Sequence, residues 1–333
     1  MREYLETISK WLARGERVAV ATVVRTIGSS PRQVGAKMFV SSGGSMVGSV
    51  SGGCIEGAVL GACHEAIQTG QARLLHFGVA DELAWSVGLA CGGTIDVFVE
   101  PLGELIHAER TLATATIIRG PLAIGARLVI EADGSCQGSL GDAALDAAVR
   151  QIAGELLARG LTREVELVDQ GVTVFVESFA PPPRLFIVGG VHIAVALTQM
   201  ARVLSFHTVV VDIRRSFANQ ERLVHADELV LAWPDEALEG RLDERSYVVV
   251  LTHDPKIDDP ALRVALRSRA SYIGALGSTT THARRLERLR AEGFSDADLA
   301  RIHGPIGLPI GARTPEEIAV SILAEIIQVQ RSV

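Results

Sequence analysis

The 333 residues carry a formal net charge of −7, and 48% of them are hydrophobic while only 5% are aromatic. This length allows two or three domains, and the composition suits an α/β fold with buried Val, Ile and Leu strands. We find no basic block, no disulfide pattern, no signal peptide and no apolar run of about 18 residues, so the sequence predicts a cytoplasmic protein that binds neither nucleic acid nor membrane.

The first half of the chain contains an internal duplication. Residues 34–70 align with residues 124–160 at a constant offset of 90 without a gap, and ten of the 37 positions are identical. Each copy has the pattern strand, strand, glycine turn, helix, strand. We therefore predict an N-terminal α/β module over residues 1–180, made of two related halves at about 15–103 and 110–180.

The second copy does not keep the residues of three segments of the first. They are GSSPR (28–32), SGGC (51–54), which the second copy replaces by GDAA (141–144), and the stretch ending in GLACGG (88–93). The second copy keeps the strand and helix pattern without them, so the fold does not require these segments. We assign them to function and expect them to meet at one end of the module.

Two cysteines beside glycine pairs are the candidate reactive groups. Cys54 is predicted to lie in the first turn of a helix, where the helix N-terminus favours the nucleophilic and metal-binding thiolate. Cys91 stands beside a second glycine pair, so the two cysteines indicate one site. The alternative is that both thiols are small buried apolar groups. The flanking glycines, which let a ligand approach the backbone, are Gly52, Gly53, Gly92 and Gly93.

The GSSPR loop offers hydroxyls and a guanidinium, which suit a phosphate or another oxyanion. Its candidate residues are Gly28, Ser29, Ser30 and Arg32. The alternative is a solvated turn. Glu56 could act as an acid or base near the first cysteine, but Asp146 occupies its place in the second copy, where a charge that complements the helix dipole explains both residues.

The remaining cysteines and histidines of the module are interpreted as structural. Cys63 has an alanine at its place in the second copy and is predicted to lie in the core, and Cys136 is predicted to be inert in a turn. His64 and His76 have no neighbouring functional residue in the sequence. No zinc site is predicted, because the candidate cysteines do not form CxxC pairs and no histidine stands at ligand spacing.

The triple proline at 181–183 precedes a predicted Rossmann-like doubly wound parallel sheet over residues 184–333. The segment RLFIVGGVHIAVALTQMARVLSFHTVVVDIR has the order strand, glycine turn, helix, strand and places Asp212 for a ribose hydroxyl. Val191 replaces the glycine that normally admits a pyrophosphate. We predict a cleft for a nucleotide-like group, with a fold that serves packing only as the alternative. The candidate residues are Gly189, Gly190, His192, Asp212, His253, Gly277 and Ser278.

Long motifs in this sequence resemble the XdhC/CoxI family. VVRTIGSSPRQVGAKMFV, GSVSGGCIEGAV and GLACGGTIDVFVEPL resemble its amino-terminal module, and VVVLTHDPKID, SYIGALGSTTTHARRLERL and RIHGPIGLPIGARTPEEIAVSILAEII resemble its carboxy-terminal Rossmann module. By this resemblance, Cys54 and Cys91 fall on the family's cysteine positions and residues 28–32 on its GSSPR loop. Gly189 and His192 match its GAGH turn, from which this sequence departs by reading GGVH.

The resemblance implies a maturation factor for molybdenum hydroxylases such as xanthine or carbon monoxide dehydrogenase. Such a factor binds molybdenum cofactor, as molybdopterin or its nucleotide form, protects it while a sulfido ligand replaces an oxo ligand, and inserts it into the apoenzyme. The implied partners are the apo molybdenum hydroxylase, a cysteine desulfurase-type sulfur donor and a second copy of the chain. Cys54 and Cys91 would contact molybdenum or relay sulfur, with the cofactor held between the two modules.

Two other functions compete with this interpretation. The first is an NAD(P)-dependent oxidoreductase that uses the Rossmann domain, against which Val191 argues. The second is a scaffold that recruits the sulfurase and the client enzyme without binding the cofactor. The chain is therefore expected to act as a cofactor chaperone more than as an enzyme in its own right.

Overall fold

The structure is a computed structural model that describes residues 4–30, 32–78, 93–103 and 110–332. The chain divides into two compact units, Met1–Ala180 and Pro181–Val333. Within the described residues, the first unit contains two five-stranded antiparallel sheets and the second contains one six-stranded parallel sheet. The predicted fold class, a duplicated α/β module followed by a Rossmann-like parallel sheet, is thereby confirmed.

The first half of the first unit is a mixed layer of sheet and helix. Its elements are α1 (Leu5–Ala13), β1 (Val18–Ile27), β2 (Lys37–Ser41), β3 (Met46–Gly48), α2 (Glu56–Thr69), β4 (Arg73–Phe77) and β5 (Thr94–Pro101). The strands lie in the order β3-β2-β1-β5-β4, and every neighbouring pair is antiparallel. Helix α2 packs on one face of this sheet, with Val59, Ala62, Cys63, Ala66 and Ile67 buried.

The second half repeats this architecture. Its elements are β6 (Leu112–Arg119), β7 (Arg127–Glu131), β8 (Cys136–Ser139), α3 (Ala143–Arg159), β9 (Arg163–Leu167) and β10 (Val172–Phe179), in the strand order β8-β7-β6-β10-β9. Each half contains strands that the predicted pattern lacks, namely β3 and β4 in the first and β8 and β9 in the second. These are short strands at sheet edges, where alternation of apolar and polar residues is a weak signal.

Reciprocal contacts join the two halves. An apolar cluster at their junction contains Val24, Phe98, Ile118 and Phe175. Lys37 pairs with Glu177 of the other half (Nζ–Oε2 3.0 Å), while Arg127, at the matching position, pairs with Glu100 (Nη2–Oε1 2.6 Å). Each glutamate is the last residue of a VFVE segment, so each half contributes the base of one ion pair and the glutamate of the other. Such an exchange is the contact pattern of an approximate twofold axis.

The second unit is built on parallel strands. Its elements are β11 (Arg184–Val188), α4 (His192–Val203), β12 (His207–Val211), β13 (Glu228–Val230), α5 (Pro234–Leu238), β14 (Ser246–Val250), α6 (Pro255–Arg267), β15 (Tyr272–Ala275), α7 (Thr279–Ala291), α8 (Asp296–Leu299), β16 (Ile302–His303) and α9 (Pro315–Arg331). The strands β11, β12 and β14 are buried over nearly their whole length because helices cover both faces of the sheet.

The strand order of the second unit creates a crevice at one edge. The order is β13-β12-β11-β14-β15-β16, so the chain moves outward on one side of β11 and then returns to the other side at β14. Sheets of this kind bind ligands outside the carboxyl ends of the strands at this reversal. Among the described helices of the whole chain, none is both long and apolar enough to cross a membrane.

Candidate functional site

The predicted functional segments of the first unit leave the first sheet at one end. Strand β5 begins opposite Ile27, the last residue of β1, and β3 ends at Gly48 beside the start of β2. The GSSPR loop follows β1, and the cysteine loop, defined here as residues 49–54, follows β3. Cys91 and Gly92 lie outside the described residues, so their position at this end of the sheet stays a prediction.

Backbone packing explains two of the predicted site glycines. Gly28 has φ +75°, and a Cβ at Gly93 would lie 2.2 Å from the carbonyl oxygen of Ser29. The second half repeats the close approach, since a Cβ at Gly120 would lie 2.9 Å from the carbonyl oxygen of Gly171. Gly28 and Gly93 therefore serve the fold, and cofactor binding by Gly28, Ser29 and Gly93 stays a prediction.

The rest of the GSSPR loop holds a polar group suited to an anion. Ser30 donates from Oγ to the carbonyl oxygen of Arg32 at 2.8 Å. Among the described residues, the Nε of Arg32 is buried and has no hydrogen-bond partner. A guanidinium N–H that lacks a protein partner is a donor available to an oxyanion. The assignment of Ser30 and Arg32 to oxyanion binding stays a prediction with this geometry in its favour.

The cysteine loop is held by Glu56 of α2. The carboxylate accepts hydrogen bonds from the hydroxyls of Ser49 (2.6 Å) and Ser51 (2.5 Å) and from the backbone N–H groups of Ser51 and Gly53 (both 2.9 Å). Gly52 and Gly53 both have positive φ, which favours glycine at these positions. Burial alone would raise the pKa of Glu56, but the hydrogen bonds from Ser49 and Ser51 outweigh it and lower the pKa to about 2.

Glu56 therefore has a structural role in the loop. A carboxylate with so low a pKa is a weak general base at neutral pH. Asp146 of the second half does the same work, because it accepts from the Ser139 hydroxyl (2.7 Å) and the backbone N–H of Leu140 (2.7 Å). Complementing the helix dipole is therefore not the only structural role of Glu56. Its carboxylate also fastens the turn to the helix through hydrogen bonds.

The structure corrects the predicted position of Cys54. Helix α2 begins at Glu56, so Cys54 precedes the first turn instead of lying within it. The Ser51 hydroxyl accepts from the backbone N–H groups of Cys54 (3.1 Å) and Ile55 (3.0 Å), so these two N–H groups are satisfied by the turn that precedes the helix. Cys54 is half-buried against the core that α2 forms with the sheet.

The other described cysteines differ sharply in exposure. Cys63 is fully buried, and burial raises the pKa of its thiol to about 12. Cys136 is exposed in the second half. Within the described part of the chain, no cluster of three or more histidine, cysteine or acidic residues could hold a metal ion. A molybdenum contact by Cys54 and Cys91 therefore stays a prediction.

A charged cluster near the same end of the sheet was missed by the sequence reasoning. Asp96 of β5 is buried and pairs with His76 (Nδ1–Oδ1 2.5 Å) and with Arg119 of the second half. Arg25 approaches Asp96 (4.0 Å) and pairs with Glu164 (3.1 Å). His76 thus has a partner, but the partner is distant in sequence. Only the pairing of β4 with β5 brings His76 opposite Asp96.

A cavity of about 670 Å³ lies at the crevice of the parallel sheet in the second unit. His192, the first residue of α4, and His253, which follows β14, both line it, as does Val191. The structure therefore brings together the two predicted histidines of the Rossmann domain. Their role in binding a cofactor stays a prediction.

The predicted glycines of this domain admit neighbouring chain segments closely. A Cβ at Gly189 would lie 2.5 Å from Thr252 Cγ2, and one at Gly190 would lie 2.5 Å from the carbonyl oxygen of Phe217. Gly277 has φ +146°, and Ser278 caps α7 by accepting from the Thr281 N–H at 3.2 Å. These contacts give Gly189, Gly190, Gly277 and Ser278 roles in the fold, and their cofactor contacts stay predictions.

Asp212 differs from the ribose-binding acid that its position suggests. Its side chain is fully buried, and both carboxylate oxygens accept hydrogen bonds from Arg214, while Oδ2 also accepts from the Gly190 N–H (2.9 Å). Burial alone would raise the pKa of Asp212, but the bonds from Arg214 outweigh it and lower the pKa. A ribose hydroxyl could reach this carboxylate only if Arg214 released it.

Comparison with known proteins places the chain in a family. The model of the XdhC and CoxI family matches residues 11–78 and 105–169, and that of the XdhC Rossmann domain matches residues 185–326. The first two stretches fall in the two halves of the duplicated unit. The matches cover most of the chain, which belongs to the XdhC and CoxI family.

Individual relatives resemble the chain over nearly its whole length. A protein of Bacillus subtilis described as a probable xanthine dehydrogenase subunit is 29% identical over 96% of this chain and 94% of its own. The molybdenum cofactor insertion chaperone PaoD of Escherichia coli is 26% identical over 96% of this chain and 85% of its own. The crystal structure of a xanthine dehydrogenase from Bacillus halodurans matches with a TM-score of 0.70 and 26% identity, over 98% of this chain and 95% of that one.

Proposed function

We propose that this protein binds molybdenum cofactor, supports its sulfuration and inserts it into an apo molybdenum hydroxylase. The observation that carries the proposal is the end-to-end likeness to PaoD, a molybdenum cofactor insertion chaperone. The likeness to a probable xanthine dehydrogenase subunit points to a hydroxylase of the xanthine dehydrogenase type as the client. The cofactor is the cargo in this proposal, held as molybdopterin or its nucleotide form.

The cysteine loop supports the proposal chemically. A half-buried thiol on a loop fastened by Glu56 is accessible to a ligand and fixed in position. Thiolate sulfur is a soft donor that suits a metal such as molybdenum. In the proposed site, Cys54 and Cys91 contact the metal or pass on sulfur, and the GSSPR loop holds oxyanions through Arg32. The glycines of the proposed site let the cofactor approach the backbone. They are Gly28, Gly52, Gly53, Gly92 and Gly93.

The pterin content of the purified protein tests the central claim. Protein produced in a host that makes molybdenum cofactor is expected to retain pterin, and cofactor-free protein is expected to bind it in titration. Cys54→Ala and Cys91→Ala should lower both retention and transfer to the apo-hydroxylase. Cys136→Ala is the matched control, because this exposed cysteine lies in the half that lacks the functional loops.

Three results would contradict parts of this proposal. Protein that neither retains nor takes up pterin is not a cofactor chaperone. Full activation of the hydroxylase by both cysteine variants indicates a scaffold that only recruits the client and the sulfur donor. Binding of NADH or NADPH in a fluorescence titration, with turnover of a substrate, indicates an oxidoreductase instead.

The partners and the location belong to the same proposal. A cysteine desulfurase-type enzyme supplies the sulfur, the protein acts as a homodimer, and the site of action is the cytoplasm, where the client receives its cofactor. Light scattering of the purified chain measures the mass of the assembly, and a monomer at working concentration contradicts the dimer. Co-purification with the desulfurase tests the sulfur donor.

A further inference from the structure

The crevice of the parallel sheet presents a guanidinium where a carboxylate is expected. In dinucleotide-binding sheets, the acid at the end of the second strand binds a ribose hydroxyl, and an arginine nearby accommodates a phosphate instead. Here Asp212 Oδ1 accepts from Arg214 Nε (2.9 Å) and from the Arg214 backbone N–H (2.9 Å). Its Oδ2 accepts from Arg214 Nη2 at 2.8 Å and from the Gly190 N–H. The acid is thus occupied within the protein.

Arg214 is fixed and faces the cavity. Its side chain is 38% exposed and lines the cavity, while Asp212 behind it has no exposure. The guanidinium carbon lies 4.0 Å from the centre of the Phe217 ring, an arrangement that adds a cation–π attraction. A guanidinium has five N–H donors, and the contacts to Asp212 leave further donors for a ligand. The positively charged guanidinium of this ion pair therefore faces the cavity, and the Asp212 carboxylate does not.

The rest of the cavity wall is largely apolar, which suits the face of an aromatic ring. Val191, Ile193, Leu251 and Leu276 supply apolar surface, and His192 and His253 supply imidazoles. Helix α4 starts at this wall without a side-chain cap. The carboxylate of Asp254 also belongs to the lining, but it caps α6 by accepting from the Lys256 N–H at 3.0 Å.

We propose that Arg214 recognises the ligand of this cavity, and that the ligand is a planar heterocycle carrying a phosphate group. The phosphate binds the guanidinium, and the ring lies against the apolar wall. Asp212 is a positioning residue that holds the guanidinium in place. The terminal phosphate of a pterin and the phosphates of a nucleotide share this chemistry, and the inference rests on the proposed function only in limiting the ligand to these two sources.

Calorimetric titration of the full-length protein with GMP and with guanosine isolates the phosphate. The wild type is expected to bind GMP about tenfold or more tightly than guanosine, because a charge-assisted hydrogen bond contributes that much. Arg214→Gln should weaken GMP binding by about tenfold to a hundredfold without weakening guanosine binding, because guanosine carries no phosphate. Arg214→Lys should give an intermediate loss, since lysine cannot pair with Asp212 through two parallel bonds.

Two further variants keep the test decisive. Arg215→Gln removes the exposed neighbouring arginine and should change GMP binding by less than about threefold. Asp212→Asn/Arg214→Gln removes the buried charge together with its partner, so it should fold even if Arg214→Gln alone does not, and it should also lose the preference for GMP. Wild type that binds GMP no better than guanosine, or a double variant that keeps the wild-type GMP affinity, overturns the proposal.

The pterin assay separates this inference from the proposed function. Retained pterin without an Arg214-dependent phosphate preference overturns the inference alone. An Arg214-dependent preference in a protein that never takes up pterin contradicts the proposed function and supports the inference. The mass of any pterin released from the protein distinguishes a terminal phosphate from a nucleotide form.

Discussion

The duplicated ion pairs of the first unit allow a prediction with an internal control. Lys37 and Glu177 have side-chain exposures of 7% and 15%, whereas Arg127 and Glu100 have exposures of 37% and 16%. Each base also donates to a threonine of its own half at 2.9 Å. The two pairs therefore share their place in the fold, and they differ in the base, which is a buried lysine in one pair and a more exposed arginine in the other.

Burial of the base determines the expected coupling energy. Attraction between charges rises as the surrounding dielectric falls, and exposed pairs contribute only about 0.2–1 kcal/mol. We expect a coupling of about 2–3 kcal/mol between Lys37 and Glu177, and of about 1 kcal/mol between Arg127 and Glu100. Lys37→Met/Glu177→Gln should cost less than either single change, because the double variant strands no buried charge.

Double-mutant cycles in urea measure both couplings. The same substitutions, base to Met and Glu to Gln, are made in each half, and unfolding is followed by hydrogen exchange of peptides from β1 and β6. This readout follows the first unit by itself, since the chain divides into two units. Equal couplings, or a larger coupling for Arg127 with Glu100, would refute the reasoning that burial of the base sets the energy.

Three further predictions concern the first unit. Glu56→Gln should increase hydrogen exchange in the cysteine loop. The wild-type loop should also lose protection as the pH falls from about 4.5 to about 2. The lowered pKa of Glu56 stabilises the loop above the pKa of the unfolded chain, and this stabilisation is lost as acid protonates the carboxylate. Unchanged exchange in the variant or at low pH contradicts this role of Glu56. At pH 8, iodoacetamide should modify Cys136 and Cys54 in the folded protein long before it modifies Cys63. If mass spectrometry shows that Cys63 is labelled as fast as the other two, its thiol is not buried. Gly93→Ala should destabilise the first unit by about 1–3 kcal/mol in urea unfolding, and a neutral result would mean that the chain yields at no cost.

The sequence contains enough information to predict the two halves but not the way in which they join. A constant offset shows the duplication directly, and the apolar periodicity of each copy defines its helix. Strand β1 is buried from Val18 to Val24, but only Val24 packs at the junction, because α1 and α2 cover the rest of the strand. A near-continuous apolar run in an antiparallel strand is a signal for this. The partner of Lys37, however, is 140 residues away, and only the folded arrangement identifies it.

The crevice of the second unit shows why the position of a residue in a motif does not by itself define its chemistry. The sequence places an acid at the end of β12, and the structure agrees that Asp212 stands there. Whether an acid binds a ligand depends on whether another donor already occupies it, and Arg214 stands two residues further on. The same pair of residues could have pointed apart, with the carboxylate open to ribose. Because Asp212 also holds the Gly190 N–H, it is tied to the turn before α4. We infer that a phosphate contact at Arg214 would reach this turn through Asp212, so ligand binding should increase the protection of the Gly190 amide in hydrogen exchange.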